Sequence, residues 1–461
     1  MDYLIYGLAD YVASLRYEDL PARAKEVAKQ AILDSYANMV CGRYGEASDR
    51  IMKYAQAADS VVKSEDLVPL IGTEKFLTGL DTAVFVHSMM ARSADLDDGY
   101  RHAMGHPGSG LVPLLLSMAS LHRIDGKAMI TAIVAAYDVY ARLGEAINPY
   151  MYRERGFDAT GVCGAVAAAA LASKIIGADA SKTKNAMGIA SLFTGGLIEY
   201  QNDGTSGKIM CGGWGALTGM RAVRLASAGF TGPDAALEGR HGFFQAFKGT
   251  SGYCDTRQVL TGLGEDFKIT RIYFKRHACQ RGLHATLDAI LDLRQRYSLT
   301  PAMIQSIDVR TSSFVHRLSN PSPKTTVGAQ ASCEFTLAIA LKYGRMDSEE
   351  LVIKSFEDPG IQALAQKITI TLDDEGEKYL DQHPTHFCAA TVIVMTREGE
   401  RLERWAPVPL GDVEAPFDWD MLKSKFDNMV AGTPCEKTKD ERFNLLKSLE
   451  KTETIDMLFR F

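Results

Sequence analysis

The segment from Thr160 to Ile176 constrains the fold more than any other, because it carries Gly164, Ala165 and the unbroken run Ala167 to Ala170. Side chains this small let other helices approach from every direction, so the segment is expected to be a helix at the centre of a packed body. Neighbouring segments supply what would surround it. Pro21 stands in the favoured first-turn position ahead of a helix over 22–39. Segments 111–121 and 127–147 read as two apolar helices split by the turn Arg123-Ile-Asp-Gly126. The pattern stays helical to about residue 265.

Beyond residue 265 the texture changes. Lys268–Phe274, Ile304–Arg310, Lys367–Leu372 and Ala390–Met395 are short and rich in β-branched residues, which predicts strands. Helical stretches over 281–297, 330–343 and 348–366 lie between them, giving a smaller α+β domain over 266–399. Helices then return. Trp419, Leu422, Phe426 and Met429 recur at helical steps after Asp418, and Thr438-Lys-Asp-Glu441 has the spacing of a capping box. The tail 400–461 is therefore expected to pack back on the helical domain of 1–265. The predicted class is mainly α, a large helical domain plus a small α+β one.

Charge and cysteine usage exclude several functions. A net charge of −6, with no basic stripe, argues against nucleic acid as a partner. The longest run without Asp, Glu, Lys or Arg, His102 to His122, is broken by Gly, Pro and His, so no membrane span is expected. Met1-Asp2-Tyr3 does not begin a signal peptide. The eight cysteines are scattered with no C-x-x-C pair, which fits neither a zinc nor an iron–sulfur ligand set and points to a reducing cytoplasm.

Five segments carry chemistry. Ser93 to Gly110 places Asp95, Asp97, Asp98, Arg101, His102 and His106 beside a Pro/Gly break, which holds His106 on a turn near acids able to set its charge. Gly204-Thr-Ser-Gly-Lys208 is not a phosphate loop, since Asn202 and Ile209 occupy the positions that need Gly and Ser/Thr. Its lysine, ahead of a nearly uncharged run, reads either as a surface residue or as a buried base or carboxylate clamp. Phe274 to His284 holds Lys275, Arg276, Arg281 and two histidines between a strand and a helix, a place suited to gripping a carboxylate or simply a solvated basic loop. His383-Pro-Thr-His386 lacks a third ligand, so no metal is expected there. In Gly156-Phe-Asp-Ala-Thr160, Asp158 or Thr160 reads first as a helix cap.

In this order and over nearly the whole chain, these segments resemble the MmgE/PrpD family of 2-methylcitrate dehydratase, cis-aconitate decarboxylase and iminodisuccinate epimerase. The resemblance rests on Ala94-Asp-Leu-Asp-Asp98 with Gly105-His-Pro-Gly108, on Gly156 to Gly161 and on Gly204 to Lys208. Ala228-Gly-Phe-Thr-Gly-Pro233, Phe274 to His284 and the run from Asp358-Pro-Gly to Lys367 complete it. It implies a helical domain and a lid domain, paired as a homodimer, with a cleft that needs neither metal nor organic cofactor. It also implies that Asp95, His106, Lys208 and His284 line that cleft.

Three departures stand out. This chain has Asp97-Asp98-Gly99 where the decarboxylase and dehydratase branches have Asp-Asp-Thr. It has Asp158 where the decarboxylase has histidine, and Phe335 where that enzyme has tyrosine, which removes two proton donors.

The chemistry implied is proton transfer at the carbon next to a carboxylate, through an enolate-like species. His106, tuned by Asp95, is expected to move the proton, with His284 assisting. Lys208, Lys275, Arg276 and Arg281 neutralise substrate carboxylates, and Asp98 joins them in binding. Asp158 acts as a second acid or base and, by like charge, favours a mono- or dicarboxylate. Dehydration is the expected reaction; epimerisation of a dicarboxylate, or carboxylate binding without catalysis, are the alternatives.

Overall fold

The computed structural model describes residues 3–58, 67–73, 76–249, 252 and 254–461. Met1 and Asp2, on which the reading of the N-terminus rests, lie outside them.

The alanine-rich segment forms the helix Ala159–Ile175, and every residue from Ala159 to Ser173 is buried. Its closest neighbour is the helix Cys211–Ser227. A Cβ built on Gly219 would lie 2.5 Å from both the Ala165 oxygen and the Ala169 nitrogen. The two helices therefore meet backbone to backbone, which only small residues permit. Helices Gly126–Ile147, Gly108–His122 and Ala180–Leu192 pack around this pair in one core.

That core runs through Ala278 and resumes at Phe417. The closing segment is tied to the helix Ala22–Arg43 at buried polar points: the Tyr36 hydroxyl donates to the Leu458 carbonyl (3.1 Å), and Lys425 reaches Asp34 (2.5 Å). The predicted capping box does not form. A turn of 3₁₀ helix over Pro434–Thr438 runs directly into Lys439–Lys447, and the Thr438 hydroxyl accepts from Arg442 Nε (2.9 Å) instead of capping.

A second core, from Cys279 to Ala406, surrounds a four-stranded sheet. A two-stranded ladder, β1 (Leu67–Pro69) and β2 (Leu77–Gly79), precedes it in the chain. The sheet holds β3 (Ile304–Thr311), β4 (Ile368–Leu372), β5 (Ala390–Thr396) and β6 (Arg401–Ala406), in the order β4-β3-β5-β6. β3 and β4 are parallel, and their crossover contains the helix Cys333–Tyr343; the other pairs are antiparallel.

Two strand expectations change. β6 lies beyond residue 399, in the segment read as helical, because it completes a hairpin with β5. Lys268–Phe274 is not a strand: Lys268–Arg271 makes a 3₁₀ turn. The cause is local capture, since the Lys268 amide donates to Asp138 (2.6 Å) and its ammonium pairs with Glu145 (2.9 Å). Only Tyr273 and Phe274 find backbone partners in extended form, at Gly99 and Gly411. No helix among the described residues is long and apolar enough to cross a membrane.

Gly219→Val should destabilise the fold by about 1–3 kcal/mol through overpacking. Urea unfolding followed by circular dichroism measures this, and an unchanged midpoint would show that the helix pair can part without cost.

Candidate active site

The acidic segment follows directly from the helix Leu80–Ser93. Asp95 adopts a left-handed backbone (φ 56°), rare for a residue with a side chain. The turn lets Asp95 present both its carbonyl (3.1 Å) and its carboxylate (2.5 Å) to Lys275, while the other carboxylate oxygen meets Lys208 at 2.6 Å. Burial alone would raise this carboxyl. Lys208, Lys275 and Arg92 outweigh it and hold Asp95 well below the usual carboxylate range. Burial, reinforced by Lys275 and Arg92, brings Lys208 below its ordinary value despite Asp95.

The next acids do different work. Asp97 pairs with Arg92 (2.6 Å) and lies 3.5 Å from His106 Nδ1. The acid beside His106 is therefore Asp97, not Asp95 as the sequence reading has it. Asp98 turns away from the cavity: one oxygen accepts from the Gly108 amide (2.9 Å), the other from the Tyr137 hydroxyl (2.6 Å). It holds the start of the helix Gly108–His122 and is not placed to bind substrate. Burial, with Asp34 and Asp97 nearby, pushes it up to about 7.

His106 is positioned by its backbone and one ring nitrogen. Its amide donates to the Thr160 hydroxyl (3.1 Å), and Nδ1 lies 2.6 Å from the Asp98 carbonyl. A carbonyl only accepts, so Nδ1 carries the proton and Nε2 keeps its lone pair. Burial, then Arg92, lowers the ring to about 3 against the pull of Asp97. The imidazole is neutral at pH 7.

A cavity of about 100 Å³ opens here, with Asp95, His106, Asp158, Lys208, Lys275 and Arg281 in its wall. Both lobes contribute. Arg281 pairs with Asp412 (2.6 Å) and stacks over Tyr273 (4.2 Å), while its Nη1 has no partner among the described residues. Asp158 caps the helix Ala159–Ile175 through the Thr160 amide (2.8 Å), as its position predicts, and also accepts from Tyr200 (2.8 Å). Despite burial, Arg92 and these hydrogen bonds hold it below its ordinary value. It is a fixed anion, poorly suited to donating a proton.

Besides Asp98, two further predicted residues lie elsewhere. His284 opens the helix His284–Arg296, buried with its ring 5.1 Å from that of His277, and is not in the cavity wall. Arg276 points to the other side, pairs with Asp288 (3.0 Å) and is about half exposed. Phe335 packs into the smaller core against Phe356.

The wall contains five polar residues that the sequence did not single out: Arg92, Tyr152, Tyr200, Gln201 and Gln280. Arg92 left a signal, a lone cation in the buried helix just ahead of the acids. Tyr152 left none. Its hydroxyl accepts from Gln201 (2.7 Å), which leaves its own proton free to donate, and burial keeps it a phenol. Gly99 has a steric reason: a Cβ there would strike the Tyr273 ring, whose backbone bridges Gly99 in both directions.

Sequence profiles of the MmgE/PrpD N-terminal and C-terminal domains match residues 7–254 and 277–451. The chain belongs to the MmgE/PrpD family. Among its relatives, the cis-aconitate decarboxylase-like protein oryM of Aspergillus oryzae is 26% identical over 98% of this chain and 95% of its own length. The cis-aconitate decarboxylase of Aspergillus terreus is 25% identical over 98% and 94%. The 2-methylcitrate dehydratase of Cupriavidus necator is 24% identical over 81% and 78%. Two of these relatives are named as a decarboxylase or decarboxylase-like protein and one as a dehydratase.

The lowered His106 has a sign that can be checked. Between about 6.5 and about 3 the unfolded chain binds a proton that the folded ring refuses, so its contribution to stability is lost as pH falls through that window. Asp98, raised, acts in the opposite sense, so the readout is a difference. Wild type should lose stability relative to His106→Gln as pH drops from 6.5, in paired urea titrations. Parallel curves would mean that His106 protonates normally.

Proposed function

We propose that this protein is a lyase that removes water from a small hydroxy mono- or dicarboxylate, using its own side chains for proton transfer. The observation that carries the reading is the committed tautomer of His106. Its lone pair is available in a small buried cavity that also holds Lys208, Lys275 and Arg281.

Arg281 Nη1 and Lys275 hold the substrate carboxylate, where negative charge grows as the neighbouring carbon loses its proton. His106 Nε2 takes that proton. The electron pair left on carbon forms the double bond as the carbon–oxygen bond breaks. Lys208, made more acidic by burial, gives a proton to the departing hydroxide, so water leaves. His106 and Lys208 then exchange protons with solvent and reset. Asp158 stays ionised throughout, and its fixed charge supports the preference for one or two substrate carboxylates over three.

Decarboxylation is the second reading, favoured by the names of the Aspergillus relatives. The two are separated by incubating the protein in D2O with hydroxy acids and unsaturated polycarboxylates and recording NMR spectra. New vinyl signals without loss of carbon support dehydration. Released CO2 with deuterium on the carbon that had carried the lost carboxylate, or on its allylic partner, replaces it with decarboxylation, and deuterium entry without net change replaces it with epimerisation.

His106→Ala and Lys208→Ala should each lower kcat about 10²-fold or more while the protein stays folded. Unaltered turnover in either variant removes that residue from the reaction.

A homodimer is the partner state we propose, supported by an apolar depression lined by Phe193, Leu197 and Trp214, which are 72%, 62% and 56% exposed. Sedimentation should give a dimer, and Trp214→Glu should shift it toward monomer.

A further inference from the structure

A second cavity, of about 350 Å³, lies between the two lobes on the far side of the Asp95–Lys275 pair. One wall is a stripe of the helix Trp419–Val430, in which Met421, Ser424, Lys425 and Asn428 recur at helical spacing. The facing wall comes from Arg276 and His277, just ahead of the smaller lobe, and from that lobe's turn Gly344 to Asp347. Leu96 lies at its base, flanked in the chain by Asp95 and Asp97. This is where the structure puts Arg276, the one cation of the 274–284 cluster that the catalytic cavity does not use.

The lining is of two kinds. Leu291, Leu410, Phe417, Met421 and Met429 supply an apolar surface. Arg276, Arg345 and Lys425 supply three cations against the single lining carboxylate of Asp347. Two of the three ammonium protons of Lys425 go to Asp34 Oδ1 (2.5 Å) and the Leu96 carbonyl (2.8 Å), which leaves one for a ligand. Arg276 spends Nη1 on Asp288 (3.0 Å) and is otherwise free to turn inward. Ser424 and Asn428 are exposed on the same wall and form no side-chain hydrogen bond among the described residues. Their hydroxyl and amide are further donors.

We propose that this cavity is a binding site for a small carboxylate with an apolar body, and that its occupancy is felt in the catalytic cavity through Leu96. The head would be held by Lys425 and Arg276, the body by Leu291, Leu410 and Phe417. The volume is in the range of small-ligand pockets and more than three times that of the catalytic cavity. Coupling follows from covalent neighbours. A ligand that draws on Lys425 pulls at the Leu96 carbonyl, and the residues on either side hold Lys208, Lys275, Arg92 and His106.

The test uses the full chain and hexanoate as the probe, with no turnover measured, so it stands apart from the reading of the reaction. Calorimetry should show saturable hexanoate binding, with a Kd of about 1 mM or tighter, that persists in Lys208→Ala. Ser424→Phe, which fills the cavity from an exposed position, and Arg276→Gln should each weaken it about tenfold or more. Hexanol should bind at least about tenfold more weakly than hexanoate. Saturating hexanoate should move the NMR signal of the His106 ring in wild type but not in Ser424→Phe.

No measurable binding, binding lost in Lys208→Ala, or binding unchanged in both Ser424→Phe and Arg276→Gln overturns the site. Equal affinity for hexanol overturns the carboxylate assignment. Binding that leaves the His106 signal in place overturns the coupling.

Discussion

One buried carboxylate ties together three segments remote from one another in the chain. Asp95 takes Lys208 on one oxygen and Lys275 on the other, and its carbonyl takes Lys275 again. Bringing three charged groups out of water is costly, and removing Asp95, the one anion among them, would cost about 3–5 kcal/mol because two buried ammonium groups are left uncompensated. The cluster is therefore poor value as a fastener. It is better understood as a way to keep two ammonium groups close together inside a dry cavity, where a lone lysine would shed its proton. The left-handed backbone of Asp95 belongs to the same design, since it aims carbonyl and carboxylate at one cation.

The fold was legible wherever side-chain size or periodicity determines packing. The small residues between Gly161 and Ala170 foretold a central helix, and the neighbouring glycines of Cys211–Ser227 let it be approached to backbone contact. Reading failed where a distant acid captured the backbone. Nothing local to Lys268–Phe274 reveals that Asp138 will accept the Lys268 amide, so β-branched residues there suggested a strand. β6 was missed for a related reason: Arg401-Leu-Glu-Arg-Trp-Ala406 is charged on its open side and becomes a strand only against β5.

The site was legible in its residue types more than in its pairings. Asp95, His106, Lys208, Lys275, Arg281 and Asp158 all reach one cavity, while Asp98, His284 and Arg276 do not. Adjacent acids cannot be told apart by sequence, because Asp95, Asp97 and Asp98 alternate direction along a turn and each meets a different partner. The phenols were invisible for another reason. Phe335 marks a position where an aromatic hydroxyl is absent, but Tyr152 and Tyr200 enter the cavity from short helices with no motif around them.

The fit of Gly99 against the Tyr273 ring carries a consequence for the family's history. The two residues come from segments far apart in the chain and share one space, with the backbone of each pinned to the other. A lineage that places a threonine at the first position must find room at the second, by a smaller ring or a displaced one. Tyr273 also lies under the Arg281 guanidinium, so that exchange of bulk would reposition a cation of the cavity. Divergence in substrate choice can thus begin at a residue that never touches the substrate.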